Sequence, residues 1–291
     1  MSIPVRTYAD LLDRIEALAG KDSFTTNEQT RLLSLVNARL YSAYRRCDYW
    51  PRYLTVGESR VMTDGIIPFT QGSAVVVSGA GTTDADGTYQ PVGTFGGKAI
   101  YYLNGDTESY SIVWGTFWTL ISPDATDLYQ DDGGTDPWDG TWSLLDGESP
   151  APTFTESTRA NIDTFLRVYT GTVYGAQQTG AELDFYVDSD GAHMTNAVSD
   201  YNLLYVGYKA IWDGPYAANS TAIPYEWFEY AAHGAFADWL RSTGNFAQAG
   251  SEDAVAESLL NSELMRAQVR YNSQIYATRY STYVSRQSRN F

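Results

Sequence analysis

The sequence predicts an α+β fold: a core of about four helices drawn from the N- and C-terminal segments, a small β meander, and an inserted all-β domain. Three observations predict it. Apolar residues recur at helical spacing near both ends of the 291-residue chain, whereas short alternating runs fill the middle. Each helical segment presents one apolar stripe, and a stripe needs a facing stripe. Residues 72–152 hold twelve Asp and Glu against the single Lys98, a change of composition that marks a separate unit.

The elements follow in order. Thr7 precedes a run in which Leu11, Leu12, Ile15 and Leu18 recur until Gly20, so a helix is expected over 7–19. Thr25 stands three residues before Glu28, a capping box, and opens a second helix over 26–48 whose stripe is Leu32, Val36, Leu40 and Tyr44. After Pro51 the pattern alternates, with a turn at Asp64 and Gly65. Between 72 and 152, Gly and Asp turn residues arrive about every eight to twelve positions and predict six or seven short strands. Three further strand-like pieces over 160–213 predict the meander. Helical spacing returns over 225–243, where Phe228, Ala232, Ala235, Phe236, Trp239 and Leu240 form a packing face, and over 251–275. If Trp239 is core, its replacement by Ala should cost about 3–5 kcal/mol. Residues 276–291 lack apolar periodicity and are expected to be a tail ordered only by a partner. The helix-bearing core is thus 1–71 with 153–275, and 72–152 is the insertion.

Composition narrows the function. A net charge of −16 with only three lysines argues against a general binder of nucleic acid, because that affinity rests on cations meeting phosphates. Charge is uneven, however: residues 264–291 contain five Arg and no acid. A single cysteine, Cys47, excludes an internal disulfide and a thiolate zinc set. No secretion signal and no membrane-spanning run is read, so a soluble protein made in a cytosol is expected.

Chemical motifs are weak. His233 lies within an apolar helical run without a second histidine one turn away, and is expected to be a packed or surface residue. His193 is expected to act alone. The "DSDG" at 188–191 and "DADG" at 84–87 lack the remaining ligands of a calcium loop and are read as turns. Residues 127–140 place five carboxylates beside bulky aromatics. That loop is read first as a solvated loop over an aromatic core, with calcium binding, or a sugar platform made by Tyr129, Trp138 and Trp142, as alternatives. No P-loop, nucleophile elbow or zinc-protease motif occurs, so neither an enzyme nor a resident cofactor or metal is expected.

Two stretches carry a resemblance. "LLYVGYKAIWDGPY" followed by "IPYEWFEYAAHGAFADWLRSTGNFAQAGSEDAVAESLLNSELMRAQVRYN", together with the opening "TYADLLDRIEALAG" and "TTNEQTRLLSLVNARL", resembles the tailed-phage head-to-tail adaptor (connector) family. Tyr208 and Lys209, Ile223 and Pro224, and Gly244 match its strand end, Ile-Pro motif and helix break. The insertion is similar to a β module recurring in phage structural proteins. The resemblance implies a virion neck protein: a homo-oligomeric ring, twelvefold if it follows the family, touching the portal above and a tail or nozzle protein below. DNA would pass its channel without sequence-specific binding, and an acidic lumen would keep the duplex from sticking. It also implies a portal-binding C-terminal segment: Arg266, Arg270, Tyr271, Tyr276, Arg279, Tyr280, Tyr283, Arg286, Arg289 and Phe291. The other reading is a virion binding module that recognises a host-surface glycan or another structural protein through the inserted β domain.

Overall fold

The computed structural model describes residues 6–171, 180–195 and 203–287, with side chains as far as residue 269. The chain divides into two units, Met1–Leu54 with Ile211–Phe291, and Thr55–Ala210.

The first unit is helical. α1 (Tyr8–Ala19) starts at a capping box in which Asp10 N donates to Thr7 Oγ1 at 3.0 Å and Thr7 N donates back to Asp10, and it stops at Gly20 in the left-handed region. α2 (Thr26–Arg45) opens on the Thr25–Glu28 box and ends three residues short of expectation. The Trp50 indole N–H donates to the Ala43 carbonyl at 2.9 Å, satisfying a group that a longer helix would have used. A 3₁₀ turn at Tyr225–Trp227 leads into α3 (Phe228–Ser242). Gly244, with φ of 87°, breaks the chain before α4 (Phe246–Gln287), whose first turn Asn245 caps through its pairing with Gln248.

The second unit is β. β1 (Leu54–Val61) and β2 (Ile66–Pro68) flank a tight turn in which Asp64 and Gly65 both have positive φ, as a primed turn requires. An antiparallel sheet of eight strands follows. Its members are β3 (Ala74–Ser78), β4 (Gly87–Phe95), β5 (Lys98–Leu103), β6 (Ser111–Trp114), β7 (Trp118–Ile121), β8 (Asp127–Asp131), β9 (Trp142–Leu144) and β10 (Thr153–Ser157). β3 to β9 run as a meander and β10 returns beside β3, which leaves β9 and β10 at the edges. The sheet curls until Trp142 of one edge stacks on Phe154 of the other, ring centroids 3.7 Å apart, so side chains rather than backbone close the near-barrel. Val75, Val77, Tyr89, Ile112, Trp118, Leu120 and Tyr129 fill its inside.

The remaining strands are β11 (Ile162–Tyr169), β12 (Glu182–Leu183), β13 (Phe185–Val187), β14 (Gly191–Met194) and β15 (Leu203–Ala210). They form two sheets, ordered β1-β15-β11-β12 and β13-β14-β2, around Ile67, Phe165, Val168, Leu204, Val206 and Tyr208. A Cβ at Gly191 would fall on the Ile67 carbonyl, so only glycine lets β14 lie this close to β2.

This arrangement corrects the expected fold class. The chain is mostly β, with fifteen strands in three sheets among the described residues, and the helices do not form a four-helix core. α3 is buried on nearly every side, through Tyr230, Ala231, Ala232, Gly234, Ala235, Phe236 and Ala237, and α1, α2 and α4 pack chiefly on it. One central helix satisfies three stripes, so four mutually facing ones are not needed. The pieces expected to make one meander are shared between two sheets, because β15 inserts between β1 and β11. The β unit, Thr55–Ala210, holds the eight-stranded sheet together with the strands before and after it. The segment expected to be a tail without structure of its own continues α4 to Gln287, since no Gly or Pro follows Gly250 to stop it.

Candidate assembly surface

α4 is the element whose surroundings are least complete. Its 42 residues span ~63 Å at 1.5 Å per residue, whereas the 15 residues of α3 span ~22 Å. Only the first part of α4 can therefore lie along α3. Ala249, Ala256, Leu260 and Ala267 are buried there.

Ion pairs fix this docking. Arg39 of α2 makes two 2.7 Å hydrogen bonds to Asp238 of α3 and a 2.9 Å ion pair to Asp253 of α4. Arg241 joins the same two carboxylates at 2.7 and 2.8 Å. Its hydrogen bonds to Asp238 hold the Arg39 guanidinium firmly in its charged form, pushing its pKa up. Burial would push the Asp253 carboxyl up, but Arg241 and Arg39 outweigh it and hold the group below the usual carboxylate range. His233 Nδ1 lies 2.7 Å from Glu252, and Arg46 lies 3.0 Å from Glu257. Gly234 makes the Arg39 bridge possible: a Cβ there would stand 2.9 Å from Arg39 Cδ and 3.1 Å from Nε. A second cluster latches the connection into α3. Asp213 accepts from Tyr53 at 2.5 Å, Tyr216 at 2.6 Å and Arg52 at 3.0 Å, and burial, together with these bonds, pushes both phenols up.

The structure places the sequence-read residues as follows. Phe228, Ala232, Ala235, Phe236 and Leu240 are buried, while Trp239 is only partly so. Its ring lies edge-on to Phe24 at 5.6 Å and 5.0 Å from the Lys21 ammonium. His233 belongs to the docking network, and His193 pairs with Asp190 at 2.6 Å beneath the Tyr186 ring. "DSDG" forms the β13–β14 turn, and in "DADG" Asp86 accepts from Gly79 N and Ala80 N. Arg266 is exposed beside Glu263. The side chains of Arg270, Tyr271, Tyr276, Arg279, Tyr280, Tyr283, Arg286, Arg289 and Phe291 lie outside the described residues.

The sugar platform is corrected. Tyr129 is fully buried and its hydroxyl donates to the Glu148 carbonyl at 2.6 Å; Trp142 is buried under Phe154, and Trp138 packs against the same core. A sheet of this size without disulfides needs those rings inside. Asp131 of the acidic loop is buried too, accepting from Gly133 N and Gly134 N, with burial pushing its carboxyl up. Among the described residues, no cluster of three or more His, Cys, Asp or Glu could hold a metal, and no helix is long and apolar enough to cross a membrane.

No protein-family model matches the chain, and no curated protein matches it.

Sequence reasoning missed three features. Arg39 reads as one more surface cation, although the lone glycine in "YAAHGAF" is the signal that something crosses α3 there. The buried Arg60, described below, has no local signal, because its partners come from three distant segments. On α4 the reading took one stripe, Ala256, Leu259, Leu260, Leu264, Ala267, Tyr271 and Ile275, and left Val255, Met265 and Val269 out of it; these are 44%, 69% and 67% exposed.

Proposed function

We propose that this chain is a structural virion protein, a head-to-tail adaptor that forms a ring beneath the portal and links it to the tail. The observation that carries the reading is α4: a helix far longer than its bed on α3, with large apolar residues left in water on its free side and an Arg-rich, acid-free segment at its end. Isolated exposed apolar residues are ordinary, but a row of them on a projecting helix suits a protein that is completed by assembly. The joining of the two chain ends in one helical unit agrees with the organisation that the adaptor resemblance implies. In this reading the segment from Arg266 onward meets carboxylates of the portal, the acidic body repels passing DNA, and the neck is where the protein resides. The test is to mix the purified chain with its cognate portal and image the mixture. A ring seated on the portal is expected, and deletion of residues 276–291 should abolish it while leaving the far-UV signal of the β unit unchanged. A chain that stays solitary beside its portal overturns the proposal.

A second reading has its own observation. At one end of the eight-stranded sheet the β4–β5 and β6–β7 tips expose Phe95 (58%) and Phe117 (39%); a Cβ on Gly96, beside Phe95, would lie 3.6 Å from the Trp114 ring, and one on Gly133, beside Asp132, 3.9 Å from the Phe117 ring. Aromatic rings with nearby acceptors are the chemistry that grips a sugar or another virion protein, which would make the inserted unit a recognition module. Glycan-array signal from the full chain that disappears in Phe95→Ser/Phe117→Ser would favour it; signal unchanged by that pair, or none, would remove it.

A further inference from the structure

The free side of α4 reverses the usual amphipathic order. A surface helix turns its charges to water and its apolar residues inward. Here the four acids of the described part, Glu252, Asp253, Glu257 and Glu263, are half-buried; Asp253, Glu257 and Glu263 each meet an arginine of their own chain, and Glu252 meets the His233 ring. The side facing away from α3 carries Val255, Ser258, Ser262, Met265 and Val269, all exposed and all uncharged. At 3.6 residues per turn their mean direction lies roughly 160° from that of Ala249, Ala256, Leu260 and Ala267. The five are spaced alternately three and four residues apart, the repeat of a helix-packing seam, with small serines where another helix could approach closely.

We infer that this stripe is a contact between copies: a helix of a second copy of the chain packs side by side along Val255, Met265 and Val269. The inference rests on the assembly proposed above and names the surface that makes it. Charge points to a second copy as the occupant. Two chains of net charge −16 repel, so they approach at least cost where neither presents a carboxylate, and this stripe presents none. Residues 264–291, which begin within the same helix, hold five Arg and no acid and so complement the acidic remainder of a neighbour. Among the described residues, no segment of the same copy covers the stripe.

The test compares full-length wild type with Val255→Lys/Met265→Lys by light scattering across a concentration series, with circular dichroism as the control for folding. Wild type is expected to associate, and the lysine pair to weaken association at least ~100-fold with helicity intact, because each contact would then bury an unpaired ammonium. Should the lysine pair unfold, Met265→Ser/Val269→Ser replaces it with the same expectation, since both positions face water in the free chain. Equal association by wild type and variants overturns the seam and leaves the ring proposal standing. A wild type that remains monomeric up to about 100 µM also overturns it as a self-contact. The portal mixture then decides the ring proposal separately, so the two failures are distinguishable.

Discussion

Gly234→Ala should change the sign of its effect depending on Arg39. In an ordinary exposed helix position, Gly to Ala stabilises by about 1 kcal/mol through backbone entropy. At Gly234 the new methyl would stand 2.9 Å from Arg39 Cδ, 3.1 Å from Nε and 3.3 Å from Cγ, inside ordinary contact distance. A free arginine would swing away at little cost. Arg39 is not free: it is held by two 2.7 Å bonds to Asp238 and a 2.9 Å pair to Asp253, so the methyl must displace α3 or break the fork. Overpacking of this kind costs about 1–3 kcal/mol, which exceeds the propensity gain by about 1 kcal/mol. With Arg39→Ala the obstacle is gone, and Gly234→Ala should stabilise by about 1 kcal/mol in that background, giving a coupling of about 2 kcal/mol. Thermal unfolding followed at 222 nm on the four proteins measures the cycle, at about 3–5 °C per kcal/mol for a unit of this size. Stabilisation by Gly234→Ala in both backgrounds would refute the claim that the glycine exists to let Arg39 through.

Trp239→Ala should cost about 1–2 kcal/mol, below the range expected for a core tryptophan, since the ring is partly exposed and keeps only the Phe24 edge, the Phe236 stack and the Lys21 cation; chemical denaturation shows whether the loss reaches core values. Glu28 provides the pH test. Lys21 and the Thr25 backbone lower its pKa from 4.5 to about 2, so its contribution is complete above 4.5 and is lost as pH falls toward 2. The melting difference between wild type and Glu28→Gln should therefore be constant at neutral pH and close within that acid window; a gap that persists at pH 2 contradicts the assignment.

What the sequence made legible was local. The boxes at Thr25 and Glu28, the stop at Gly20 and the Asp64–Gly65 turn depend on residues within one turn of each other, and each sits where its spacing puts it. The strands of the acidic insertion were readable for the same reason, because turn residues punctuate them. Pairing was not readable. Nothing within Leu203–Ala210 says that it lies between β1 and β11, since strand partners are chosen by loop closure and burial across the whole unit. The length of α4 was hidden differently. The reading followed an apolar stripe and stopped where the stripe faded, but a helix without breakers continues on Arg, Gln, Ser and Tyr. The binding platform failed because an aromatic cluster in sequence looks the same whether its rings point out or in.

The mounting of the eight-stranded sheet shows how much of its unit is spent on orientation. The Gln71 amide, on the chain leading in, exchanges two 3.2 Å hydrogen bonds with Val61 N and O, standing in for a strand partner of β1. Arg159, on the chain leading out, donates to Gln71 at 2.8 Å and to the Gln90 side chain of β4, and Gln90 in turn donates to Ser59 of β1 at 3.1 Å. Behind them the fully buried Arg60 lies 2.6 Å from Glu58 and donates to the Ala160 carbonyl at 2.6 Å and to the Tyr208 hydroxyl at 3.0 Å. Burial and the neighbouring Arg60 push the Arg159 guanidinium down to about 10, so Arg159 remains charged at neutral pH. A buried and a half-buried cation facing one carboxylate add little net stability, and apolar side chains of similar size would do as well. What apolar contacts would not supply is direction: each of these bonds ties one linker to a defined strand, so the sheet cannot pivot on its two connections without leaving a charge unpaired. A module held this way presents its Phe95 and Phe117 end at a fixed angle to β1 instead of swinging on its two linkers.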